Sequence, residues 1–230
     1  MKTPKKCSFT LLLLLSLLSC GTGPALAQRP IAESPAVAAP AQPELAAELL
    51  KRMEEDQAAR RLFTDLYKQS QGKPKEEIEK EQVELTKKLQ AVDNGNRLWL
   101  SEKIKRYGWP GKSLVGEQAA HAAWLLVQHA DADPDFQEQC LEQMKAAAPG
   151  EVVSIDIAYL TDRVLVARGR PQVYGTQCEE VDGRFQPRAC IEPEALDQRR
   201  KEVGLQPIKE YLQVMEEVYH VRETQTKREK

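Results

Sequence analysis

Between Val115 and His129 the chain is apolar on nearly every side, with Ala119, Ala120 and an unbroken run from Ala122 to Val127. A helix with no polar face must be enclosed by other elements. The remaining sequence must therefore supply a shell of amphipathic helices, and it does. Residues 44–71 carry Leu45, Leu49, Met53, Phe63 and Tyr67 on one stripe. Pro74 opens a second helix with Ile78, Leu85, Leu89 and Val92 on its face. Asp93-Asn94-Gly95 reads as an interruption or kink, after which a helix continues to Tyr107 and stops at Gly108. Trp109-Pro110-Gly111 reads as a turn.

Asp133-Pro134 is a cap and first-turn pair for a helix whose stripe is Phe136, Cys140, Met144 and Ala147. Residues 152–166 read as a second buried helix, with a strand as the alternative. Residues 172–191, centred on Asp182-Gly183, read as a β-hairpin or long ordered loop. Residues 194–203 and 207–219 complete the helical set, the latter with Ile208, Tyr211, Leu212, Met215 and Val218 on one face. Aromatic residues at 6% against 30% charged residues favour helices over a sandwich or barrel. The expectation is a mainly α single domain over 44–220 with one small β element near 172–191, followed by a polar tail over 221–230.

Ahead of that domain, Lys2, Lys5 and Lys6 precede an apolar run from Phe9 to Leu18. A basic start and a run this short read as a secretory signal, since a membrane span needs about 20 apolar residues. Leu17-Leu18-Ser19-Cys20 has the form of a lipoprotein processing site, giving a signal over 1–19 and an acylated Cys20. Ala25-Leu26-Ala27 offers a competing cleavage after residue 27. The stretch 20–43 contains Pro24, Pro30, Pro35, Pro40 and Pro43 among small residues and reads as an extended tether. Both routes send the domain to the periplasm or cell envelope, lipid-anchored in the first case and soluble or secreted in the second.

The charge balance is 33 basic against 35 acidic residues; losing residues 1–19 removes three lysines and no acid, leaving −5. That excludes nucleic acid as a partner held by bulk electrostatics. Export also sets the cysteine chemistry. Cys178 and Cys190 flank the Asp182-Gly183 turn, where an oxidising compartment permits a bridge; Cys140 lies on a helical stripe and reads as a buried thiol.

Polar residues placed where an apolar stripe should continue nominate a site. At about 100° per residue, Asp56 and Arg60 fall on the stripe of the first helix, and Gln57 on its edge. Asn96 joins the second stripe if that helix passes through Gly95. Asp162-Arg163 splits an apolar run, and Gln128-His129-Ala130-Asp131 ends the buried helix. At a helix C-terminus near Asp131 and Asp133, His129 is expected to favour its protonated form. Asp56–Arg60 as an internal pair, and Asp162-Arg163 as structural glue, are the plainer readings of the same residues.

Familiar motifs are missing. Gly111-Lys112-Ser113 lacks the earlier glycine of a phosphate loop, Arg106 standing there, and no strand precedes it. HExxH, CxxC, GxSxG and GxGxxG do not occur. His121, His129 and His220 match no metal-binding spacing, so neither a metal nor a cofactor is expected. Asp131 and Asp133 beside His129 have cation-binding chemistry, but acids ahead of a helix ordinarily act as caps.

The stretch Gly108-Trp109-Pro110-Gly111-Lys112-Ser113-Leu114-Val115-Gly116 and the stretch from Ala122 to Asp131 resemble the bacterial domain-of-unknown-function family 6624. The likeness continues through Ala158-Tyr159-Leu160-Thr161-Asp162-Arg163-Val164, Gln172-Val173-Tyr174-Gly175-Thr176-Gln177 and Arg199-Arg200. It covers about Glu54 to Tyr211, with Asp56, Gln57, Arg60 and Asn96 matching more loosely. The segment Cys178–Cys190 looks particular to this branch. The resemblance implies no activity, but it selects the same polar residues as the stripes. Asp162, Arg163, His129, Gln128, Tyr174 and Gln177 are thereby expected to share a polar pocket.

Two functions fit. One is a binding module for an unknown ligand or envelope protein, with Asp56, Arg60, Gln128, Tyr174 and Gln177 as binding residues. The other is an extracytoplasmic hydrolase using His129 or Asp162 as general acid/base and Arg163 to hold an anionic group. The lipid anchor is directly testable: radiolabelled fatty acid should enter the wild-type chain and not Cys20→Ala, and labelling that survives the substitution removes the anchor.

Overall fold

A computed structural model describes residues 39–69, 73–182 and 184–217, without the side chains of 67–69. The expected signal, most of the expected tether and the expected polar tail lie outside the described residues. Helices α1 (Pro43–Gln69) and α2 (Lys75–Tyr107) are followed by the short α3 (Lys112–Val115). Then come α4 (Glu117–Gln128), α5 (Pro134–Ala146) and α6 (Ser154–Ala167). Strands β1 (Cys178–Val181) and β2 (Arg184–Pro187) form an antiparallel hairpin. A 3₁₀ turn (Pro193–Ala195) leads into α7 (Leu196–Glu202), and residues 208–217 form α8. Mainly α with one small β element is therefore the fold. No helix among the described residues is long and apolar enough to cross a membrane.

The apolar helix is central. Ala119, Ala120 and every residue from Ala122 to Gln128 are buried in α4, which touches α1, α2, α3, α5 and α6. Leu45 and Leu49 of α1, Leu100 and Ile104 of α2, and Phe136, Cys140 and Met144 of α5 close over it. Asp133 caps α5 by accepting from Phe136 N–H. The chain joins the domain beside α3, where the N–H groups of Ala41 and Gln42 donate to Ser113 O and Leu114 O.

Three local expectations change. Asp93-Asn94-Gly95 does not break α2, which runs unbroken through it; Gly95 costs a helix only about 1 kcal/mol, and burial of Leu89, Asn96 and Leu100 on one face outweighs that. Residues 115–129 are not one helix: Gly116, at φ +81°, separates α3 from α4. Glu151 accepts from Ser113 N–H at the start of α3 and leaves no room for a Cβ on Gly111. A carboxylate at that helix start repels phosphate, which gives the Gly-Lys-Ser stretch a structural role.

Nor do Cys178 and Cys190 form the expected bridge. Both are free thiols. The hairpin register sets Cys178 opposite Pro187, while Cys190 lies beyond β2, pairs with Gln172 and donates its Sγ–H to Arg188 O.

Asp162, fully buried, organises the segment between α6 and the hairpin. Its carboxylate accepts from Val173 N–H at 2.8 Å, Tyr174 N–H at 3.0 Å, Thr176 N–H at 2.8 Å and Thr176 Oγ1–H at 2.9 Å. On the far side of the same peptide segment, Arg200 donates to Tyr174 O at 2.6 Å and Arg199 to Val173 O at 2.8 Å. Tyr211 Oη–H donates to Thr176 O, and Phe185, Tyr211 and Met215 form a second small core with Tyr159 and Cys178. Asp162→Ala leaves four donors without their acceptor and should cost about 3 kcal/mol or more of unfolding free energy. Urea denaturation measures it, with Asp162→Asn expected to lose less because one amide oxygen remains to accept.

Candidate functional site

A buried helix still has to end, and the end of α4 gathers three buried charged residues, Asp56, Arg60 and Arg163. Gln137, fully buried on α5, donates through Nε2 to Val127 O at 3.1 Å and Gln128 O at 3.2 Å. Arg163 of α6 donates through Nε to Gln128 Oε1 and through Nη1 to both oxygens of Asp131 at 2.8 Å. His129 forms the C-cap and is 8% exposed.

His129 meets α1 and α2 through charged residues. Its Nδ1 lies 2.9 Å and 3.0 Å from the two oxygens of Asp56, and 3.0 Å from Arg60 Nε. One nitrogen cannot both accept from Arg60 and donate to Asp56, so the tautomer selects one of the two bonds. Arg60 also donates from Nη2 to Asp93 Oδ1 at 2.6 Å and to Asp56 Oδ1 at 3.2 Å. A single guanidinium thus joins α1, α2 and the end of α4. Asp56 is 0% exposed, whereas the Asp93 side chain is 20% and that of Asp131 46% exposed, so the cluster opens to water through the last two. Arg97 closes one side, donating to Asp133 and Asn94.

These surroundings set the protonation states. Burial raises the proton affinity of Asp56, but the hydrogen bond to His129 and the charge of Arg60 outweigh it, holding the carboxyl below its ordinary value. Burial chiefly pushes His129 down; Asp56 pulls it up, and Arg60 and Arg163 push it down again. The expected imidazolium is therefore corrected to a neutral imidazole, because desolvation and two guanidinium groups outweigh the helix terminus. Asp131 and Asp133 are engaged by Arg163 and Arg97 instead. Burial raises Asp93 to about 7 against the pull of Arg60, with the charges of Asp56 and Asp131 adding to the rise.

The residues selected from the sequence separate into distinct networks. Asp56, Arg60 and His129 come together. Gln128 and Arg163 lie next to them with Asp131. Asp162, Tyr174 and Gln177 belong to the 172–177 segment: Gln177 N–H donates to Gln172 Oε1 at 2.7 Å and its Nε2 to Thr176 Oγ1. The hydrogen bonds of Asp162 and Gln177 stay within residues 162–177. The polar residues expected in one pocket are thus held by two sets of partners, as consecutive residues 162 and 163 point about 100° apart on α6. Asn96, buried on α2, accepts from Arg52.

Two members went unnoticed in the sequence. Asp93 reads as part of a turn signal; only with α2 continuous does it fall three residues before buried Asn96, near the inward side. Gln137 stands beside Phe136 on the stripe of α5, a polar residue at its apolar edge.

The fold and cluster define a single-domain α-helical protein with a buried Asp–Arg–His network at the end of its central helix. The model of a family of unknown function, DUF6624, matches residues 43–224. The chain belongs to this family. No curated protein and no solved structure matches it.

Asp93 supplies a pH test. A carboxyl with its folded value raised to about 7 binds more protons folded than unfolded between about pH 4 and 7, so its contribution to stability falls as pH rises through that window. His129, depressed when folded, contributes in the opposite sense. Comparison of Asp93→Asn with wild type isolates the Asp93 part. The melting temperature of the variant relative to wild type should rise between pH 5 and pH 8, and parallel profiles would show that Asp93 does not titrate there.

Proposed function

We propose that the chain is exported, anchored to a membrane by lipid on Cys20, and acts as a binding module that takes a polar ligand or an envelope partner at the Asp56–Arg60–Asp93–His129 cluster. One observation carries the choice of site: a buried charged pair on α1 continues through Asp93 to solvent. Buried ion pairs are poor sources of stability compared with apolar packing of the same volume. Asp162 is different, since its oxygens are met by neutral donors from the segment it fastens. The processing site at Cys20 and the proline-rich stretch after it support tethering of such a domain to a surface.

The hydrolase alternative uses His129 or Asp162 as general acid/base and Arg163 to hold an anionic group. The Asp162 carboxylate is committed to residues 173–176, and Arg163 is held by Asp131 and Gln128. Binding without turnover is the reading that keeps fewer assumptions.

A thermal-shift screen of the mature chain against sugars, peptidoglycan fragments, nucleotides and metal ions tests the proposal. At least one class should raise the melting temperature by about 2 °C or more, and Asp93→Asn should abolish that rise while keeping a helical circular dichroism spectrum. A ligand-induced rise of equal size in Asp93→Asn moves the site elsewhere; product formation from the same ligand replaces binding with catalysis.

A further inference from the structure

Asp56, Asp93 and His129 each present a ligand atom, and the three atoms lie within 4.8 Å of one another. They come from α1, α2 and the end of α4, separated widely in sequence, which is why no metal-binding spacing marks them. Two carboxylates with one imidazole form a mixed oxygen and nitrogen set, and three protein ligands are what an open-sided zinc centre uses. Metal–ligand bonds of about 2.0–2.2 Å place tetrahedral ligand atoms about 3.3–3.6 Å apart. The set therefore has to contract by little more than about 1 Å, a change side-chain rotation supplies.

A second observation concerns the cation already at this point. The Arg60 guanidinium reaches all three groups: Asp93 at 2.6 Å and Asp56 at 3.2 Å from Nη2, and His129 Nδ1 at 3.0 Å from Nε. The point where the three side chains converge already attracts a positive charge. With His129 accepting from Arg60, the lone pair aimed at the guanidinium is the one a metal would take.

We propose that Asp56, Asp93 and His129 bind one divalent transition-metal ion of the zinc class, with Arg60 as the resident cation that the ion displaces. This rests on the cluster being the binding site. The imidazole and carboxylates favour zinc or cobalt over calcium or magnesium, whose sites use oxygen ligands alone. Arg60 lowers the affinity, because the ion enters only when the guanidinium gives up its contacts.

The test is titration of the mature full chain at pH 7.5 with Zn²⁺ by calorimetry and with Co²⁺ by visible absorption. One ion per chain should bind, with a Co²⁺ spectrum of low coordination number. Asp93→Asn should weaken binding at least tenfold. Arg60→Met, which removes the competitor without adding a ligand, should bind at least as tightly as wild type. Asp93 is partly exposed, so its variant is expected to fold; circular dichroism confirms this, and Asp93→Ser serves if Asn misfolds. Absence of saturable one-to-one uptake overturns the proposal, as does equal affinity in a folded Asp93 variant or loss of binding in a folded Arg60→Met. A wild-type chain that binds a screened organic ligand through Asp93 but no metal loses the metal and keeps the site; failure of both removes the site as well.

Discussion

A helix that is apolar on all sides still terminates in carbonyl groups that need donors, and burial leaves those donors to the protein. The last turn of α4 meets this demand with Gln137, which spans Val127 O and Gln128 O. Charged groups from its neighbours engage the side chains there: Arg163 takes Gln128, and Asp56 or Arg60, according to the tautomer, takes His129. Four helices are thus fixed at one point by hydrogen bonds. The location of the candidate site follows from this geometry, because any fold with such a central helix must assemble polar groups where it ends.

The second polar network works by different physics. Tyr174 donates its N–H to Asp162 and accepts at its C=O from Arg200, so the two charged side chains act on opposite ends of a short stretch of backbone. Peptide dipoles lie between the carboxylate and the guanidinium. The pair shapes residues 172–177 and supports the second core of Phe185, Tyr211 and Met215. Its burial alone would have suggested catalysis; its partners identify a structural role.

Helix order was legible because binary patterning and punctuation agree: Asp133-Pro134 caps α5, Gly108 ends α2, and the apolar run became the centre. Legibility failed at Gly95 and Gly116, where local propensity and tertiary burial compete and the sequence does not show which wins. For the site, the stripe argument placed Asp56 and Arg60 inside, as Leu45 and Leu49 on the same helix required. It also paired the two with each other, as they are, but it could not assign their partners on other helices, since which side chains meet there depends on packing between segments distant in sequence. Asp93 stayed hidden behind a turn signal for that reason, and Asp162 was grouped with Arg163 by adjacency when helical geometry sends them to different neighbours. The imidazole charge was misjudged because it depends on Arg60 and Arg163, which only the fold brings near.

Gly95 completes the description of α2. A Cβ built there would meet nothing within 4 Å, so no steric demand explains the residue. Its effect is mechanical: glycine lowers the local helix propensity by about 1 kcal/mol relative to alanine, two positions from the carboxylate that opens the cluster to water. Alanine at this position would reinforce the fold and stiffen the turn carrying Asp93. Retaining glycine exchanges a little stability for compliance where an incoming guest would require it.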